Sequence, residues 1–327
     1  MRILFPLIKL GSGADVYFEN LSQELKKEEI DSEINYYSRK FTHLTLLLKL
    51  IKKKEKAEII HTTAELGWVF KQKNIPLYVS VLHIPEKTED YNPGIIKNIY
   101  YKLIIKPQIK LSLKKADKII AISEFTKKQA QKLTDKEIIV VYPALNLKEF
   151  KPLKNIESED KRFKLFFTGN LVKRKGADLL PKIMKELGQE YVLYYTSGLR
   201  SNIPKDFGLA NMVPLGRLSQ EELVRQYNKS DALLFPTRLE GFGYSVVEAM
   251  ACGKPVISTN CSSIPELMVD GKNGFLCKSG EVQDFAEKIR LLKTDKNLKN
   301  KMKINNLNTI RRFYLNKLNY KKIIING

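Results

Sequence analysis

Short, unbroken apolar runs alternate with amphipathic stretches along this chain, in two series separated by a polar segment that holds Pro143 and Pro152. A run of apolar residues without polar alternation suits a strand buried on both faces, inside a parallel sheet covered by helices. The alternation therefore predicts an α/β chain. Residues 2–8 read as the first strand, Gly11-Ser12-Gly13 as a tight turn and 15–28 as a helix. Further buried strands fall at 57–61, 76–82, 117–122 and 137–142. Residues 143–162 read as a linker, after which strands recur at 163–168, 191–196, 231–235 and 255–258. Helices of this second series are expected from Ala177 and at 219–228, 244–252 and 281–293. The pattern describes two doubly wound domains, 1–150 and 151–327, with no short repeat that would indicate a solenoid.

The 327 residues suffice for two cores of ordinary size. Cys252, Cys261 and Cys277 form no CxxC pair, which argues for a reducing compartment and against a disulfide framework or zinc site. The N-terminal apolar stretch is too short for a signal peptide, and no apolar run reaches the roughly 18 residues of a spanning helix. A cytoplasmic protein is expected, at most peripheral at the inner face of a membrane. The net charge of +21 suits nucleic acid, anionic lipid or a phosphorylated substrate, and equally suits a lysine-rich composition whose charges are simply solvated.

The strongest chemical signal is the segment from Glu240 to Pro255, EGFGYSVVEAMACGKP. A strand ends at Pro236, a glycine-rich loop follows, and a helix begins near Gly243. The carboxyl edge of an open α/β sheet is where ligands bind, and amides at a helix start attract phosphate. Phosphate alone calls for no acids, yet Glu240 and Glu248 flank the loop. Two carboxylates there suit hydroxyls at either end of a diphosphate, one on a sugar and one on a ribose. The plainer reading is a solvated glutamate and a helix-stabilising acid. A second junction, Thr168 to Gly176, places Lys173, Arg174 and Lys175 in succession between strand and helix. Cations at such a junction neutralise a departing diphosphate, or are a solvated loop run. It lacks the Walker pattern.

These two segments resemble those of retaining glycosyltransferases of family 4, whose fold is GT-B: two Rossmann-like domains facing each other across a cleft. The stretch Ser263 to Gly274 is similar to a further family segment, with weaker echoes at Ser12–Asp15, His83, Ile122–Phe125 and Tyr142-Pro143. The resemblance spans nearly the whole chain. It implies an acceptor-side N-terminal domain and a nucleotide-sugar-binding C-terminal one, with the last helix packing back on the first. It implies that Glu240 contacts the donor sugar and Glu248 the ribose, and that backbone amides around Phe242, Gly243 and Tyr244, followed by Ser245 and Val246, hold sugar and phosphate. Lys175, assisted by Arg174, would neutralise the diphosphate. Gly13 would admit the distal phosphate, and His83 would face the reacting centre. Asn170 stands where the family carries arginine. Arg174, one residue before Lys175, is expected to point toward solvent.

The implied activity is transfer of a sugar from a nucleotide-diphosphate donor to a glycan, lipid or small-molecule acceptor, with retention of anomeric configuration. No cofactor and no metal are expected, since Asp-x-Asp is absent. Rival readings are a nucleotide-sugar 2-epimerase or phosphorylase of related fold, or a basic protein binding nucleic acid or anionic lipid. The aromatic-rich basic motifs of RNA-binding modules are absent, so nucleic acid is not the expected partner. His61 reads as a structural residue at a strand end. The stretches 41–54 and 95–118 set leucines, isoleucines and tyrosines among lysines, which fits either an interfacial helix or an ordinary helix covering a sheet.

Overall fold

The computed structural model describes residues 1–52, 56–84, 91–154, 156, 159–198, 201, 203, 204, 206–315, 320 and 323. It divides into two compact units. One holds the chain up to Ala144 apart from a short excursion, together with a C-terminal segment to which Tyr320 and Ile323 belong; the other holds Leu145–Asn316.

The first unit is built on β1 (Arg2–Ile8), β2 (Asp31–Tyr37), β3 (Ile59–Thr63), β4 (Leu77–Val81), β5 (Lys118–Ala121) and β6 (Ile138–Val140), in the order β2-β1-β3-β4-β5-β6. The second carries β7 (Phe163–Phe167), β8 (Tyr191–Thr196), β9 (Met212–Gly216), β10 (Ala232–Phe235), β11 (Val256–Thr259) and β12 (Gly274–Cys277), in the order β12-β11-β10-β7-β8-β9. Neighbouring strands pair in parallel in both sheets. Leu165, Phe166 and Phe167 of β7 and Leu234 and Phe235 of β10 are fully buried, as strands between two helical layers must be.

Strand order reverses between β1 and β3 in the first sheet and between β7 and β10 in the second. At such a reversal the two following connections leave to opposite faces, and a crevice opens at the strand ends. In the first unit, β1 runs through Gly11 (φ +60°) into the helix Gly13–Lys27. The Asp15 carboxylate accepts the Ser12 amide at 2.9 Å and the Leu10 amide at 3.2 Å, which fixes this turn.

Several expected boundaries move. β3 continues to Thr63, so His61 lies inside the strand rather than at its end. It is fully buried, with Nε2 2.7 Å from Ser80 Oγ and Nδ1 hydrogen-bonded to the Tyr320 hydroxyl. Burial pushes its pKa down to about 3, so it is neutral and structural. The helix expected from Ala177 begins at Leu180, where Pro181 presets the first turn. Strands β2, β9 and β12, all at sheet edges, were not expected from the apolar pattern.

Candidate active site

The second unit gathers the predicted residues at its own strand reversal. The connection after β7 and the connection after β10 are bound to each other along their length. Lys173–Lys175 form a single 3₁₀ turn that ends at Gly176 in the left-handed region, φ +69°. A Cβ at Gly176 would lie 1.7 Å from the Pro236 carbonyl oxygen, so only glycine allows the two loops this approach. The Arg238 amide donates to the Arg174 carbonyl at 2.8 Å. The Arg238 guanidinium makes a two-point pair with Asp178 at 2.6 and 3.0 Å.

Lys175 therefore closes a short turn five residues before the helix, not at the helix start as expected. Its stem folds over Gly169 (φ +134°), where a Cβ would sit 2.9 Å from Nζ. Its ammonium stands 5.2 Å from the centre of the Phe235 ring and 3.6 Å from Glu240 Oε1. Arg174 does not point to solvent. Its Nη1 donates to the Leu239 carbonyl and lies 3.3 Å from Glu240 Oε1. The Glu240 carboxylate is thus held between two cations, with 11% of its side chain exposed. Asn170 packs its Oδ1 against Gly198, where a Cβ would be 2.1 Å away.

A third connection, after β11, fixes the backbone of the glutamate loop. Ser262, at φ +50°, accepts the Glu240 amide at 2.9 Å. Ser263 Oγ contacts the carbonyls of Glu240 and Phe242 at 3.1 and 2.7 Å. A serine in the left-handed region is uncommon, and such positions persist where surrounding bonds over-determine them. Gly243, at φ +107°, then opens the helix Tyr244–Ala251. The leading amides of a helix have no acceptor within it. The Phe242 ring is buried against Tyr244 at 5.5 Å, so Phe242 offers a ligand its backbone rather than its ring. Ser245 Oγ reaches the Thr168 carbonyl at the end of β7, 3.5 Å away, and Val246 is fully buried.

Glu248 lies one turn into this helix, buried, and accepts the Tyr227 hydroxyl at 2.7 Å. Burial raises its pKa to about 7, against the pull of Tyr227 and of the Lys175 charge. Between the ordinary carboxyl value and about 7 the folded protein binds more protons than the unfolded chain. Stability must then fall as pH rises through that window. Glu248→Gln is expected to flatten this dependence, which melting temperatures at pH 5 and 7.5 would measure. An equal slope in both proteins would place the Glu248 titration elsewhere.

Gly13 and His83 belong to the first unit. Gly13 is exposed, and a Cβ there would meet no atom within 4 Å, so the fold itself does not demand glycine. His83 follows β4 and is half-buried. Sequence reasoning missed Arg238 and Tyr227. Arg238 carries no motif, and Tyr227 reads as an ordinary apolar-face residue of the helix Gln220–Lys229. Among the described residues no cluster of His, Cys, Asp or Glu could hold a metal ion.

A family model described as glycosyl transferases group 1 matches residues 149–309, which contain the site residues of the second unit. An uncharacterized glycosyltransferase of Methanocaldococcus jannaschii is 30% identical over 321 residues, covering 88% of this chain and 87% of that protein. The chain belongs to the group 1 glycosyltransferases. The fold of this glycosyltransferase is GT-B, as in sucrose-phosphate synthase from Thermosynechococcus elongatus (TM-score 0.79, 16% identity, 99% and 96% of the two chains). Similar too is Anabaena HepE, solved in complex with UDP and glucose (TM-score 0.75, 18% identity, 95% and 94%).

Proposed function

We propose that this glycosyltransferase binds a nucleotide-diphosphate sugar at the β7/β10 reversal and transfers the sugar with retention of configuration, without a metal ion. The observation that carries the reading is the placement of two carboxylates around one helix start. Glu240 stands before it between two cations, and Glu248 lies a turn inside it beside Tyr227. The UDP bound in the similar HepE structure supports the donor class.

In this reading Glu248 accepts ribose hydroxyls, and Glu240 meets the donor sugar. Lys175, Arg174 and the amides at Gly243, Tyr244 and Ser245 take the negative charge that develops on the departing diphosphate. The cations are already oriented by Glu240, so little reorganisation accompanies the reaction. The double displacement of retaining glycosidases needs a second carboxylate roughly 5 Å from the first, and Glu248, the other glutamate of this site, is held by Tyr227. Transfer therefore proceeds on one face, a donor phosphate oxygen taking the acceptor proton. By the family resemblance, Gly13 and His83 of the first unit are assigned to the distal phosphate and the sugar.

The test is a thermal-shift screen across nucleotide sugars, with UDP-glucose as the first probe. A ligand at a hundred times its Kd stabilises the native state by about 2.7 kcal/mol, so the donor should stand out. Failure of every nucleotide sugar to shift the melting point would sink the reading. With the donor in hand, transfer is expected to survive EDTA, and the product's anomeric coupling in NMR to match the donor's. Loss in EDTA restored by manganese would overturn the metal-free mechanism, and release of a 2-epimer without acceptor would make the enzyme an epimerase.

A further inference from the structure

The first unit carries an apolar surface that its own core does not use. Helix Thr45–Ile51 buries only Thr45 and Leu48. In the helical run from Ile95 to Lys115, residues 95–100 bury nothing, and a π-helical turn at Tyr101–Ile105 buries only Tyr101. Seventeen large apolar side chains are exposed among the described residues, and eleven of them lie between Leu44 and Leu111. Leu46, Leu50, Ile95, Ile96 and Leu103 are 65 to 84% exposed. Isolated exposed leucines need no explanation, but a concentration of them does. The two helical segments adjoin: His43 Nδ1 lies 2.8 Å from the Tyr100 hydroxyl, and Gln108 Nε2 donates to Thr45 Oγ1 at 3.0 Å.

Lysines are interleaved with these side chains. Residues 95–115 contain six lysines and no acid, and Lys97, Lys102, Lys110 and Lys114 are exposed. Lys53 and Lys54 of the neighbouring leucine-rich stretch lie outside the described residues.

We propose that this face docks on an anionic lipid bilayer, its leucines and isoleucines entering the boundary between headgroups and acyl chains while the lysines meet lipid phosphate. The alternative occupant, a second copy of the chain, fits less well. Protein interface cores are depleted of lysine, because its charge must be desolvated. At a bilayer the same lysine lays its stem along apolar surface and keeps its ammonium among the headgroups. No described helix is long and apolar enough to cross a membrane, so the contact is with the surface. This inference is independent of the donor site.

The experiment is flotation of the full chain with vesicles of phosphatidylcholine alone or with about one third phosphatidylglycerol. Binding should be at least about tenfold tighter to the anionic vesicles and should weaken with added salt. The double variants Leu46→Ser/Leu50→Ser and Ile96→Ser/Leu103→Ser change exposed positions, so melting temperatures should hold. Each should lower partitioning by about tenfold or more. Lys102→Gln and Lys110→Gln should cost roughly fivefold each. The UDP-glucose thermal shift should be unchanged in all four, which separates this proposal from the donor reading. Absent or equal binding to both vesicles would overturn it, as would serine variants that bind normally. A concentration-dependent dimer dissolved by the serine variants would assign the face to a second copy instead.

Discussion

Glu240→Gln is expected to lower kcat by about a thousandfold at saturating donor, while the melting temperature falls only slightly. The Glu240 carboxylate sits 3.3 Å from Arg174 and 3.6 Å from Lys175, with little solvent around it. The amide of glutamine keeps the shape and an acceptor oxygen, so the hydrogen bond from Arg174 survives in weakened form. In the proposed mechanism, what disappears is the negative charge beside the sugar, at the point where positive charge develops during transfer. Losing one preorganised electrostatic partner of a transition state typically costs a hundred- to a thousandfold in rate. Binding should move the other way. With Glu240 neutral, both cations are released toward the diphosphate, so affinity for the nucleoside diphosphate should hold or tighten. That split between rate and affinity is the signature of a group used in the transition state. Near-full turnover by Glu240→Gln at saturating donor would remove the residue from the mechanism.

Lys175→Ala should lower kcat/KM by roughly a hundredfold or more, a few kcal/mol of transition-state stabilisation. Its ammonium is held by three neighbours: the bare backbone of Gly169, the Phe235 ring and Glu240. Its side chain is only 16% exposed, so solvent screens it little. Arg174 was expected to point outward and matter far less. The structure ties it to Leu239 and Glu240 at 27% exposure, so Arg174→Ala should cost about tenfold, through the placement of Glu240 as well as the charge. Asn170→Arg should leave activity equal or higher, since it adds a guanidinium where the family carries one, at the expense of the contact with Gly198. Steady-state kinetics of the three variants with one donor decide the order. If Arg174→Ala is the more damaging, the loop works around its arginine and Lys175 loses its assignment as the main phosphate cation.

The legible part of the fold was its interior. Runs such as Phe163–Phe167 and Ala232–Phe235 are buried on both faces, so their sequences carry no polar alternation and announce themselves. The three strands that escaped notice are all edges. Asp31–Tyr37 shows one buried residue, Met212–Gly216 contains a proline and buries only Met212, and Gly274–Cys277 is mostly buried but only four residues long. A strand paired on one side keeps polar residues toward solvent, and its sequence then resembles a loop. The glutamate pair and the basic loop were visible for a related reason. Glycines at 169, 176 and 243 mark positive φ or close backbone approach, which short-range chemistry imposes.

The sequence by itself determined that this is an α/β chain of two doubly wound units, and which loops carry carboxylates, cations and glycines. Burial periodicity and backbone sterics are local, so they can be read residue by residue. Only the tertiary structure decided the order of the strands, and with it the reversal that sets the β7 loop beside the β10 loop. It decided that Arg174 turns inward, that Arg238 and Asp178 lock the two loops, and that Tyr227 sits on Glu248. It also decided that, apart from the buried Leu48, the leucines and isoleucines of Thr45–Ile51 and Ile95–Tyr100 face outward rather than covering the sheet. Each of these depends on partners tens of residues away. The free energy of such a pairing resides in a geometry that no window of sequence contains.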